Sequence, residues 1–161
     1  MSIFVKAVPA PKPRTRETVQ ISLLYAGILV VFAVTQLFTF DKFAEFMLSI
    51  HLPLSDPLAY AVAPVLVAAE VFALPFLLRM TLSPAFRWLS MLCGWFVAVL
   101  WLFITIWIVT MSPSSPTVGF LGTLVDLIPG WWAVCIPFAL GIMAAWSSWG
   151  LWPGRITFSR K

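Results

Sequence analysis

The sequence predicts an all-α integral membrane protein, an antiparallel four-helix bundle with a short amphipathic surface helix in its first outer loop. Three observations carry this prediction. The 161-residue chain is 61% hydrophobic and only 10% charged, whereas a soluble domain carries about 25% charged and about 45–50% apolar residues. Its mean hydropathy is +1.00. The apolar residues also gather in four long runs, so the sequence lacks the polar surface that a small water-bounded core needs. A soluble enzyme, a DNA-binding domain and a disordered linker are excluded on these grounds.

The first run is Ile21 to Phe40 and the second about Pro57 to Leu78, with Pro64, Glu70 and Pro75 inside it. The third is about Phe86 to Thr110 and the fourth about Trp131 to Leu151. A helix rises about 1.5 Å per residue, so about 20 residues cross the hydrocarbon layer. Helices satisfy their own backbone polar groups in lipid, and the runs lack the alternation of barrel strands. The membrane domain is thus 20–152, between a basic, Pro-rich tail over 1–19 and a basic tail over 153–161. The first run is longer than the apolar region of a signal peptide, so it is expected to remain as an anchor. Pro9, Pro11 and Pro13 predict an extended, mobile tail before it.

Charge sets the expected orientation. Lys6, Lys12, Arg14, Arg16, Arg79, Arg87, Arg155, Arg160 and Lys161 fall on one side of four spans, and Lys42 alone falls on the other. The positive-inside rule then puts both termini in the cytoplasm of a plasma (inner) membrane. The net charge of +4 is accounted for by topology, and nucleic acid is not an expected partner. Trp88, Trp149 and Trp152 on one side, and Trp107, Trp131 and Trp132 on the other, fit an interfacial aromatic belt. Trp95 and Trp101 lie deeper and are expected between helices.

The connections follow. Arg79 to Ala85 is short, with Ser83-Pro84 opening the next helix, so spans two and three are neighbours. In the first outer loop Phe43, Phe46, Met47 and Ile50 recur at helical spacing opposite Asp41, Lys42, Glu45 and Ser49. That pattern predicts a short helix lying on the outer membrane surface and ending before Pro53. The second outer loop, Met111 to Gly130, is rich in Ser, Pro and Gly. Partner contacts are expected on this side, with Lys42, Glu45, His51 and Asp126 as candidates. No phosphate-binding, dinucleotide or zincin motif is present, and one His with two Cys gives no metal site.

Glu70 is the polar residue that most needs an explanation. A carboxylate at its depth costs at least about 2.5 kcal/mol, and no Lys or Arg lies inside another span. It is therefore expected to be neutral and hydrogen bonded. Depth counting places it about 12 Å from the inner boundary, near Tyr25, Cys93 and Trp146, so the Tyr25 hydroxyl and the Trp146 indole are its expected partners. Pro64 and Pro75 free the carbonyls of Tyr60 and Val71. Either a proton- or quinone-contacting site or a structural hydrogen bond fits these facts. Cys93 and Cys135 differ in expected height by more than about 10 Å, too far for a disulfide.

Several of these residues resemble a family. Lys42-Phe43 with Phe46, Ala69-Glu70-Val71-Phe72 and the run Leu74 to Leu78 look like the DoxX and MauE-type membrane proteins, over about Leu23 to Trp149. The resemblance implies an accessory or structural subunit of a quinone-linked membrane redox system, with another membrane or extracytoplasmic redox protein as partner and quinone as a cofactor. Two alternatives are a quinol-oxidising subunit with a site near Glu70 and a small transporter. The MauE-like branch carries a Cys-Gly-Cys-Phe-Gly motif where this chain has Val118-Gly119-Phe120-Leu121-Gly122. The glycines fit tight turns. Without the cysteines, thiol–disulfide exchange by this chain alone is not expected.

Overall fold

The computed structural model describes residues 7–53, 56–112 and 115–153, with positions 56 and 57 as backbone only. The basic tail from 154 onward and Lys6 lie outside these residues. Five helices form among the described residues: α1 Arg16–Phe38, α2 Phe40–Ser49, α3 Asp56–Leu77, α4 Pro84–Met111 and α5 Trp131–Gly150. All but α2 are long and apolar enough to cross a membrane. Among the described residues there is no strand, only an isolated bridge between Val8 and Leu82.

α1 begins five residues before the expected apolar start. Thr15 caps it by accepting from the Thr18 N–H at 3.2 Å, and Glu17 sits in the first turn, where an acid opposes the helix dipole. Capping chemistry thus extends the helix beyond the hydropathic run. Ser83 likewise caps α4 by accepting from Phe86 N–H, with Pro84 at the first helical position. α3 runs through both internal prolines. One position beyond Pro75, the Ser90 hydroxyl accepts from Phe76 N–H at 3.0 Å and donates to Phe72 O at 2.6 Å. The hydroxyl of α4 thus spans the Phe72–Phe76 rung of α3 from outside.

The four long helices pack as a ring, α1 against α3 and α5, and α4 against α3 and α5. Two sets of contacts close its ends. At one, here the basal end, Val8 and Leu82 exchange both backbone hydrogen bonds, Arg87 donates to Val8 O at 2.7 Å, and Arg14 N–H donates to Gly150 O at 3.2 Å. The Arg14 guanidinium lies 4.5 Å from the centre of the Trp149 ring. The segment expected to be mobile is therefore docked from Val8 onward across the 78–83 turn and the last turn of α5. Extended Pro-rich backbone cannot join a helix, but it can lie across helix ends and satisfy their free carbonyls.

At the other, loop end, α2 and residues 115–130 form a cap. Phe43, Ala44, Phe46 and Met47 of α2 are buried in the core. The apolar face expected on lipid covers the ring of helices instead, mainly along α3. Trp107 donates to Ile50 O at 3.0 Å and Thr123 N–H to Thr39 Oγ1 at 3.1 Å, tying both connections together. The turn at Gly119 and Gly122 matches the expectation from their glycines, with φ of 85° and 60°.

Close approach at the basal end generates a prediction. A Cβ on Gly150 would collide with the Thr18 side chain, whereas one on Gly27 meets nothing within 4 Å. Gly150→Ala should cost about 1–3 kcal/mol by overpacking, read as a lowered thermal midpoint in detergent. Gly27→Ala should leave the midpoint unchanged or slightly raised.

Candidate functional site

Each long helix turns one stripe inward at helical spacing. On α1 it is Thr18, Ser22, Tyr25, Ala26, Leu29, Phe32, Ala33 and Gln36. On α3 it includes Ala63, Leu66, Ala69, Glu70 and Ala73. Glu70 therefore faces the interior, fully buried. Its Oε1 accepts two hydrogen bonds, from Gln36 Nε2 at 3.2 Å and from Trp101 Nε1 at 3.1 Å. Gln36 Nε2 also donates to the backbone carbonyl of Phe120 at 3.3 Å. One carboxyl oxygen thus joins α1, α3 and α4, and the same glutamine holds the loop.

Aromatic rings enclose this cluster. Trp101 and Phe120 lie 4.8 Å apart, Phe32 and Phe120 stack at 5.6 Å, and Phe43 of α2 stands 6.4 Å from Trp101. Gln36, Glu70, Trp101 and Phe43 are all fully buried. In such surroundings each hydrogen bond to the carboxyl is stronger than in water, and each missing one costs more. Two oxygens lack partners among the described residues, Glu70 Oε2 and Gln36 Oε1.

The expected partners of Glu70 lie elsewhere. Tyr25 is fully buried, but its hydroxyl donates to Gly94 O at 2.7 Å. Trp146 is 41% exposed and lies beside Trp149, the rings tilted with centroids 5.9 Å apart. Depth counting misplaced Tyr25 because a helical side chain leans toward the N-terminus of its own helix, and Trp146 because it faces outward. Glu70 leans toward the loop end, where α3 begins, while Gln36 and Trp101 lean toward the basal end, where α1 and α4 begin. The long side chains meet between the heights of their Cα atoms. Trp101 was expected between helices, although its link to the acid was not. Gln36 was missed, yet it was legible as the only amide inside span one, in register with Thr18, Ser22 and Tyr25.

The candidate partner residues Lys42, Glu45, His51 and Asp126 are all exposed on the loop end. His51 has a positive φ of 46° just after α2, and Asp126 lies in the loop beside exposed Leu124, Val125 and Ile128. These residues surround the cap without touching Glu70. Cys93 and Cys135 are free thiols. On the outer face, one apolar groove of about 280 Å³ lies between α4 and α5 and includes Trp95, Ala98, Pro137 and Gly141. A second, of about 430 Å³, lies against Trp146 and Trp149. Glu70 lines neither.

Comparison of the chain with protein-family models, curated proteins and solved structures yields no match. The reading of the site therefore rests on its geometry.

That geometry makes Gln36 and Trp101 energetically coupled through one acceptor. Trp101→Phe and Gln36→Leu should each cost about 1–3 kcal/mol, with a coupling of about 0.5 kcal/mol or more in the double variant. Tyr25→Phe, which loses only its bond to Gly94 O, should add independently to either. Thermal or denaturant unfolding in detergent micelles measures the cycle.

Proposed function

We propose that this chain is a non-catalytic multi-pass membrane protein, an accessory or structural subunit of a membrane redox system, whose Glu70 cluster fixes the shape of the surface that meets a partner. Its four spans run antiparallel. The basal end, with Arg14, Arg16, Arg79 and Arg87, faces the cytoplasm of a plasma (inner) membrane, in keeping with the positive-inside rule. The loop end meets another membrane or extracytoplasmic redox protein through exposed Lys42, Glu45, His51 and Asp126 and the apolar tip formed by Leu124, Val125 and Ile128.

One observation carries the reading. A fully buried carboxyl gives a single oxygen to N–H donors from two helices, and one of those donors also holds the loop carbonyl of Phe120. A catalytic acid has to come within hydrogen-bond reach of its substrate. This acid is instead committed to the scaffold. A quinone headgroup does not fit at Glu70 in this arrangement, since the acid is sealed and lines neither surface groove. The resemblance to the DoxX and MauE-type proteins supports the redox setting, through Lys42-Phe43, Phe46 and Ala69 to Phe72.

Glu70 is held as the neutral acid. Both unpartnered atoms of the cluster are oxygens, and neither a carboxylate nor an amide oxygen can donate. A proton on Oε2 gives the carboxyl a donor beside its acceptor. It also removes a charge that is costly in an apolar interior.

Glu70→Gln should preserve this arrangement, because an amide supplies the same acceptor and a new donor. Its thermal midpoint should stay within about 4 °C of the parent, and partner co-purification in mild detergent should persist. Glu70→Leu strands two N–H donors and should lose both stability and co-purification. A folded Glu70→Gln protein that supports partner binding but abolishes quinol-dependent electron transfer in its native membranes would contradict the reading and place chemistry at Glu70.

A further inference from the structure

The basal end carries a feature that the Glu70 cluster does not use. Arg87 is 96% buried and makes one side-chain hydrogen bond among the described residues, to Val8 O. Arg79, at the end of α3, lines the same small recess beneath Ala10 and Pro11. Its buried Nε has no hydrogen-bond partner among the described residues. Arg79 also stands at φ 57°, the left-handed position after a helix where glycine is the ordinary choice. Its N–H donates to Phe76 O, and Met80 N–H to Pro75 O, closing the helix end. An arginine standing at a position that favours glycine points to a use for its side chain.

The charge balance at this end identifies the ligand. The acids of the chain are Glu17, Asp41, Glu45, Asp56, Glu70 and Asp126. Asp41, Glu45, Asp56 and Asp126 belong to the loop end, and Glu70 is sealed in the interior. Glu17, exposed on the first turn of α1, is the only acidic side chain at the basal end. Against it stand Lys12, Arg14, Arg16, Arg79 and Arg87, close to the positive N-terminus of α4. Trp88 and Trp152, paired edge to face at 5.2 Å, lie at the same end with Trp149, and such rings sit at headgroup level.

We propose that Arg79 and Arg87 form a site for the phosphate of an anionic lipid headgroup at the basal surface. The recess has a volume of about 10 Å³, room for roughly one water-sized atom. One phosphate oxygen enters it toward Arg79 Nε, and the other oxygens remain at the mouth. Guanidinium groups bind phosphate through paired, directional N–H bonds and keep their charge when partly buried. The N-terminal strap, held by Val8 and Arg14, forms one wall. The site requires only that the basal end lie at a membrane surface. It is independent of any redox partner.

The test uses the full chain, purified in an uncharged detergent. Phosphatidylglycerol, phosphatidylcholine and inorganic phosphate are added separately, and the readouts are native mass spectrometry and the thermal midpoint. Phosphatidylglycerol should be retained and should raise the midpoint, while phosphatidylcholine should do neither. Arg79→Gly keeps the fold, because glycine suits its backbone, and should bind phosphatidylglycerol about fivefold more weakly, the scale for one Arg at an anionic surface. Lys42→Gln, at the loop end, should bind as the parent does. An Arg79-dependent shift by inorganic phosphate alone would support the same phosphate chemistry with free anion as its source. Equal responses to the two lipids, or an unaltered response of Arg79→Gly, would overturn the proposal.

Discussion

A single oxygen, Glu70 Oε1, holds the centre of this protein together. It receives N–H bonds from Gln36 on α1 and Trp101 on α4, and the other hydrogen of the Gln36 amide group is available to the carbonyl of Phe120. In an apolar interior these donors have no water to turn to, so each would be costly if left alone. The helices therefore have little freedom to slide or rotate past one another at this level. The ordinary apolar packing around them constrains register far less, since lipid-facing and inward-facing surfaces have much the same composition.

The two ends depend on this centre in different ways. At the loop end, Gly119 and Gly122 turn the chain inward so that Phe120 can stack on Phe32 and Trp101. Thr117 steadies the turn by accepting from Gly119 N–H and Leu127 N–H. The loop is thus a plug with a buried side and an exposed apolar tip, a form suited to presenting a fixed surface. At the basal end, extended backbone and arginines perform the closing role.

Much of the fold was legible in the sequence because lipid imposes a length and a composition. The runs at 21–40, 57–78, 86–110 and 131–151 agree with the helices to within a few residues, and the largest shift, at the start of α1, came from the Thr15 cap. The short helix after span one was legible from Phe43, Phe46 and Met47, but its partner was not. An amphipathic pattern reports a buried face without saying whether lipid or protein buries it. The docking of residues 7–15 was also hidden, because Pro-rich sequence forbids a helix without forbidding a resting place.

The site was only half legible. Glu70 announced itself as an acid among apolar residues, and its burial follows from that chemistry. Its neighbours did not follow from counting along the helices, since lean along each helix axis moves a long side chain by most of a turn. Tyr25 shares the inward stripe of α1, but its hydroxyl is spent on Gly94 O, and Trp146 points outward. Facing can be read in an apolar helix only from its rare polar positions, and on α1 those positions lead to Gln36.

Glu70, bound to Gln36 and Trp101, is sealed from both lipid and water. A lipid-soluble carbodiimide, applied to the protein in membranes and mapped by peptide mass spectrometry, tests this directly. Glu70 should resist modification in the folded protein and become reactive only on unfolding. Prompt labelling of Glu70 in intact membranes would contradict the account.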